Sequence, residues 1–158
     1  MRRQNRQVTD FNEIKKIVMD GKVARLGMND EGKVYIVPMN YGAECGEDGS
    51  IAFYFHCAKV GRKIDILKNN PEVCLELDGR HELAEGETPC DYSYYFESLI
   101  GNGRVQFIED KEEKIEALKL IMKHQTGKDF AEFDEKWVCA VMILKVNLSE
   151  YEVKRHNP

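Results

Sequence analysis

The chain has 158 residues, of which 42% are hydrophobic and 32% charged, and a formal net charge of −5. Such a length and composition belong to a folded globular domain whose core needs no disulfide or metal, and they exclude disordered, collagen-like and membrane-spanning classes. A mildly acidic balance lacks the basic field on which nucleic-acid binding draws. The basic start, Met1-Arg2-Arg3-Gln4-Asn5-Arg6, has no apolar run behind it and does not read as a secretory signal. Five widely spaced cysteines, none in a Cys-x-x-Cys, read as reduced thiols of a cytoplasmic protein. No His, Cys, Asp and Glu grouping has metal-ligand spacing, so no metal is expected.

Asp10 followed by Glu13 is a capping-box-like start, and Phe11, Ile14, Ile17 and Val18 recur at helical spacing. This helix is expected to end at Asp20-Gly21, with Gly21 in the left-handed conformation. Residues 23–28 and 33–41, separated by Asn29-Asp30-Glu31-Gly32, read as strand, turn, strand. Pro38 offers no N–H to a ladder, so the second strand is expected at an edge or bulged there. A turn over 42–50 leads to an aromatic-rich strand over 51–56. A helix follows over 61–69, with Ile64 and Leu67 inward and Pro71 beyond its end. Alternation over 73–77 resumes the sheet, the polar stretch 79–89 reads as a loop, and 92–108 is a long strand interrupted by Gly101 and Gly103. Asp110 and Glu113 open a third helix with Ile115, Leu118, Ile121 and Met122 on one face and Gly127 at its end. Residues 137–146 read as a final apolar strand, with 151–153 as a short addition. Strands joined mostly by turns, with helices inserted between them, predict a mainly β fold: one domain over 1–158, its antiparallel sheet curled into a barrel with peripheral helices.

Three segments carry candidate chemistry. In Phe55-His56-Cys57-Ala58-Lys59-Val60-Gly61-Arg62-Lys63 a strand ends and a helix begins on two cations, an arrangement that suits an anion. Taken alone, two solvated helix cations are the simpler account. In Val37-Pro38-Met39-Asn40-Tyr41 the proline opens an irregular edge, and Asn40 offers a donor and an acceptor to a planar heterocycle; an ordinary edge strand guarded by Pro38 is the plainer alternative. In the segment from Tyr94 to Arg104, Gly101 and Gly103 permit close backbone approach and Ser98 supplies a hydroxyl, although bending alone accounts for such glycines. Its spacing matches neither a phosphate loop nor a dinucleotide fingerprint. Among the histidines, His56 begins the basic segment, His81 reads as solvated, His124 as a complement to its helix dipole, and His156 as tail. Trp137 reads as core or dimer interface.

In order and spacing, these segments resemble the pyridoxamine 5'-phosphate oxidase-like flavoproteins, and within them the nitroimidazole-resistance branch. Further matching pieces are Arg2-Arg3 with Thr9-Asp10, Arg25-Leu26-Gly27 and Asn70-Pro71. The resemblance covers residues 1–150. It implies a split β-barrel homodimer with FMN at the subunit interface. Arg62 and Lys63 then match the pair that holds the FMN phosphate, and Val37, Pro38, Met39, Asn40 and Tyr41 match the strand beside the isoalloxazine. Ser98 matches a polar contact from the other subunit, and His56 matches a histidine close to the flavin. Arg25, Ala58, Gly61 and Gly101 complete the implied cofactor-binding set. Reduced FMN would pass electrons to a small-molecule acceptor such as a nitro-aromatic, with a nicotinamide nucleotide as one candidate donor and His56 as a proton donor. A non-enzymatic flavin or haem binding or storage protein is the alternative on the same fold. The oxidase branch carries an Arg and a Lys in the strand here occupied by residues 35–40, an Arg-Gln pair near Glu97-Ser98, and a late Arg-x-His. Here Arg155 and His156 are adjacent. These departures argue against pyridoxamine phosphate oxidation as the reaction.

Overall fold

The computed structural model describes residues 4–157, so Arg2-Arg3 lie outside the described residues. After a 3₁₀ turn at Gln4–Arg6 come α1 (Phe11–Asp20), β1 (Val23–Asp30), β2 (Lys33–Asn40), β3 (Gly42–Cys45), β4 (Ile51–Ala58) and α2 (Arg62–Asn69). Next are β5 (Glu72–Ala84), β6 (Ser93–Ile108), α3 (Lys111–Thr126), α4 (Glu135–Ala140) and β7 (Val141–His156). The strands form one antiparallel sheet in the order β2-β1-β5-β6-β7-β4-β3. Alternation explains its curl. Ala24, Leu26 and Met28 of β1, Val73, Leu75 and Leu77 of β5, and Phe53 and Phe55 of β4 all point inward to one core. Burying each large side chain of this set contributes about 1.5–3 kcal/mol. With Val18 of α1 and Leu67 of α2 closing that core, the molecule is a split β-barrel.

β2 is a sheet edge, and it pairs with β1 without a bulge from Val23↔Asn40 to Asp30↔Lys33. Pro38 is therefore accommodated by the edge position. The hairpin turns through Glu31 (φ 51°) and Gly32 (φ 87°), the two positive values a tight two-residue turn requires.

Several boundaries differ from expectation, each for a local reason. Gly21 is extended (φ −63°, ψ 148°), not left-handed; a Cβ there would lie 2.6 Å from the Tyr41 hydroxyl, so close approach is what demands glycine. Residues 42–45 are strand β3 rather than turn, and the turn proper is held by the Gly46 N–H on Ser50 O. β5 runs on to Ala84 through residues read as loop, because after a register shift between Gly79 and Glu82 its backbone keeps pairing with β6. Asp134 caps Lys136 N–H and starts α4, so Trp137 sits on a helix, 68% exposed, and not on a strand. Beyond it β7 is continuous to His156, and 151–153 is no separate strand.

α3 lies outside the barrel on a second cluster of Tyr54, Ile108, Ala117, Ile121 and Ile143. Its buried stripe is Lys114, Ala117, Ile121 and His124, rotated from the apolar face read in the sequence. Lys114 buries its stem and donates from Nζ to Val141 O at 3.0 Å, so a charged residue replaces an apolar one on the inner face. No helix among the described residues is long and apolar enough to cross a membrane.

Candidate functional site

After β4 the chain turns through Gly61 into α2. Gly61 has φ 124° and ψ 167°, and a Cβ there would meet nothing within 4 Å. The backbone angle demands glycine, and the space beside it is open. No side chain caps this helix. Its first bonds run from the Ile64 and Asp65 N–H groups to Gly61 O, at 2.9 and 3.1 Å. The N–H groups of Arg62 and Lys63 find no acceptor among the described residues. Two orphan donors thus stand at the positive end of the helix dipole.

The two cations beside them differ. The Lys63 ammonium reaches over β2 to the Met39 sulfur at 3.6 Å and lies beside the Cys57 thiol. Burial pushes that thiol up, and Lys63 partly opposes the shift. No carboxylate pairs with Lys63 among the described residues. Arg62, in contrast, is engaged: Nε and Nη2 donate to the Asp30 carboxylate at 3.1 and 2.8 Å, and its guanidinium lies 4.2 Å from the centre of the Tyr35 ring. Asp30 and Tyr35 were not picked out in the sequence. Tyr35 had a signal, since it alternates onto the same side of β2 as Val37 and Met39; Asp30, a turn acid, had none.

The other expected residues fall into three groups. Val37 and Met39 face inward on β2 near α2, Pro38 and Asn40 face outward, and Ala58 closes β4 just before the turn. Of these, Met39 touches the basic corner through Lys63, whereas the Asn40 amide donates away from it, to Lys22 O and Gln125 Oε1, both at 3.1 Å. His56 is exposed on the opposite face of β4 from Cys57. Tyr41 is fully buried between the sheet and α1; its hydroxyl donates to Val18 O at 2.6 Å, and burial drives its pKa far up. The remaining residues lie on the wing formed by β1, β5 and β6. Arg25 donates to Glu76 at 2.9 Å and to Asp78 at 2.6 Å. Ser98 sits opposite Asp78. Gly101 packs on β7, where a Cβ would come within 2.8 Å of Leu148 and 3.0 Å of Glu150 O. No grouping of three or more His, Cys, Asp and Glu suited to a metal occurs among the described residues.

Of the other histidines, His81 is exposed as expected, and His124 and His156 depart from expectation. The His81 Nε2 is 2.9 Å from the Asp78 carboxylate. His156 ends β7, its Nδ1 2.8 Å from Tyr94 O. His124 is buried and bonds to Gly21 O, so it is not a surface partner of the helix dipole. A charged cavity of ≈ 460 Å³ opens between α1, β5, β6 and β7. Its charges answer one another, with Arg155 on Glu97 at 2.8 Å and on Glu13 at 3.3 Å. It therefore lacks the uncompensated charge of the α2 corner.

The family model described as pyridoxamine 5'-phosphate oxidase matches residues 10–155. The chain belongs to the pyridoxamine 5'-phosphate oxidase family. Within that fold, the crystal structure of a Bacteroides thetaiotaomicron protein assigned to 5-nitroimidazole antibiotic resistance is 35% identical, with a TM-score of 0.82 over 94% of this chain and 86% of that one. The flavocytochrome Anf3 of Azotobacter vinelandii superposes with a TM-score of 0.77 at 20% identity, over 94% and 68%. A FAD and haem binding protein of Mycobacterium smegmatis gives 0.80 at 13% identity, over 97% and 74%. No curated protein matches the chain. The family assignment places the α2 corner and the β2 edge on a scaffold shared over nearly the whole chain.

Proposed function

We propose that this member of the pyridoxamine 5'-phosphate oxidase family binds FMN, with the phosphate at the start of α2 and the ring along β2. As a cytoplasmic homodimer it passes electrons from reduced FMN to a small acceptor such as a nitro-aromatic compound. The observation that carries this reading is the Lys63 corner: an unpaired ammonium and two orphan N–H groups beside an open glycine turn. A phosphate supplies the missing negative charge and the acceptor oxygens that these donors lack. Arg62 joins the phosphate by leaving Asp30, while Val37, Pro38 and Met39 flank the ring. The 35% identity to the nitroimidazole-resistance protein supports the choice of acceptor.

Bound FMN supplies the electron transfer, and the chain supplies position, charge and exclusion of water. His56, exposed near the end of β4, is the side chain we assign to delivering a proton to the reduced acceptor. Dimerisation rests on the outer face of β2, β1, β5 and β6. Val34, Ile36 and Ile100 are 79%, 56% and 52% exposed there, and alternation places Ser98 and Arg25 on the same face. A second copy packed on this face covers the apolar side chains and brings Ser98 towards the neighbouring flavin. Haem is the second reading, because two neighbours of this fold are a flavocytochrome and a FAD and haem binding protein.

The deciding experiment is the absorption spectrum of freshly purified protein, followed by mass identification of what it releases. Oxidised-flavin bands and released FMN are expected, and a Soret band would move the reading to haem. No flavin bound after reconstitution with FMN overturns the proposal. Reduction by NADH or NADPH, followed by turnover of a nitro-aromatic, separates an enzyme from a carrier. An unchanged rate in His56→Ala removes the proton-donor role.

A further inference from the structure

The C-terminal turn of α3 lies across two junctions, Gly21-Lys22 between α1 and β1 and residues 40–42 between β2 and β3. His124 Nε2 is 2.7 Å from Gly21 O, and Lys22 Nζ donates to His124 O at 2.6 Å. Gln125 Nε2 donates to Tyr41 O at 2.8 Å and to Lys22 O at 3.1 Å. Asn40 Nδ2 donates to Gln125 Oε1 and to Lys22 O, both at 3.1 Å. Beneath them the helix backbone rests directly on Gly42, where a Cβ would lie 2.6 Å from Ile121 N and 2.7 Å from Leu120 C. The end of the proposed flavin edge is therefore held by α3.

One atom in this junction is unprovided for. A carbonyl on Nε2 requires the proton to sit there, which leaves Nδ1 as a bare acceptor. Nδ1 is buried without a partner. Protonation would turn it into a buried donor with no acceptor in reach, a costly state. The groups facing the ring offer no relief. Lys22, at the start of β1, is itself a cation and disfavours a second charge. The Tyr41 ring packs edge-on at 4.5 Å, and its hydroxyl is committed to Val18 O. Asp20, which acts on Tyr41 from the end of α1, is paired with Lys16. Cys45 of β3, which also acts on Tyr41, is a thiol that burial keeps neutral. On α3, Lys123 pairs with Asp129 at 2.6 Å.

We propose that His124 is a positioning residue for the flavin edge: neutral, it latches α3 onto the Asn40 to Gly42 end of β2, and protonated, it releases that end and weakens flavin binding. The binding arm of this inference rests on the FMN reading, whereas the latch itself does not.

The test compares wild-type protein with His124→Gln, whose amide can still donate to Gly21 O but cannot titrate. Flavin affinity is measured by fluorescence quenching with riboflavin, which has no phosphate to titrate, and with FMN. Between about pH 8 and about pH 5.5, wild-type riboflavin affinity should fall about tenfold, the cost of one unpaired buried donor, while the variant stays within about twofold. An equal fall in both proteins overturns the proposal. Amide exchange in flavin-free wild-type protein is the second arm and needs no variant. Tyr41 and Gly42 should lose protection over the same pH range while Leu75 and Leu99 keep theirs; unchanged protection at residues 41–42 overturns the latch. Absence of any flavin binding would count against the FMN reading, and the exchange arm would still decide the latch.

Discussion

At one end of β2, residues 40–42 run under the last turn of α3, where amides, carbonyls and one ammonium are almost all matched and a glycine admits the helix backbone. On the other face of the same strand, Tyr35 and Met39 meet the start of α2, where an ammonium touches only sulfur and two N–H groups lack acceptors beside an open glycine turn. Neighbouring residues of one strand, Met39 and Asn40, thus face an unsaturated corner and a saturated one. Folding tends to satisfy polar groups inside the protein, so the unsaturated corner is where a ligand has something to contribute. The charged cavity beside α1 is a useful contrast: it has volume but its ion pairs are closed, so space alone did not identify the site.

The comparison can be broken most forcefully at the closed corner. Gly42→Ala places a methyl against the α3 backbone and should cost about 2–3 kcal/mol of stability in urea unfolding, the range of overpacked cores. Its preference for FMN over riboflavin should persist; a negligible loss would mean that α3 slides and the corner is not closed. At the open corner, Lys63→Ala should weaken FMN by ~1.5–3 kcal/mol, the scale of a charged hydrogen bond, with riboflavin affected far less. Its unfolding free energy should fall by only about 0.5–1 kcal/mol, since the stem loses its contacts with Met39 and Cys57 but no ion pair. Equal losses for both ligands would remove Lys63 from the phosphate. Arg62→Ala should cost less, about 1 kcal/mol for FMN, because wild-type Arg62 must first give up Asp30. Asp30→Asn removes that competition and should tighten FMN by about 0.5 kcal/mol, a gain visible in parallel titrations. The subtlest effect is in pH. Burial holds His124 below its ordinary range, so the unfolded chain takes up the proton first. Its contribution to stability is full above the unfolded value of about 6.5 and is lost as pH falls below it towards the lower folded value. Unfolding midpoints followed with pH should show this decline in wild type and a shallower one in His124→Gln.

Much of the barrel was legible in the chain, for identifiable reasons. Alternation and turn residues mark β1, β2 and β4, and the Asp10 and Asp110 caps, with Glu13 and Glu113 following, mark α1 and α3. Where residues were misread, side-chain type was a poor guide to backbone pairing. The outer arm of β5 is polar because both its faces are largely exposed, yet its ladder with β6 continues. The α3 stripe was misjudged because Lys114 and His124 bury themselves by reaching backbone carbonyls. At the candidate site, the Gly61-Arg62-Lys63 run was visible as a basic helix start. That Arg62 is held by Asp30 while Lys63 is not could not be seen, because it depends on where a hairpin tip 32 residues earlier comes to rest.

By itself, then, the chain determined the element types over most of its length and the presence of two cations at a helix start, since periodicity, caps and glycine punctuation are local properties. Only the tertiary structure decided which of those cations is unpaired, which face of α3 is buried, and that His124 closes the end of the strand whose Met39 faces the open corner. Those outcomes depend on contacts between residues distant in sequence, and the His124 to Gly21 bond alone spans 103 positions. A burial or a missing partner is a property of the assembled neighbourhood, and no single segment contains it.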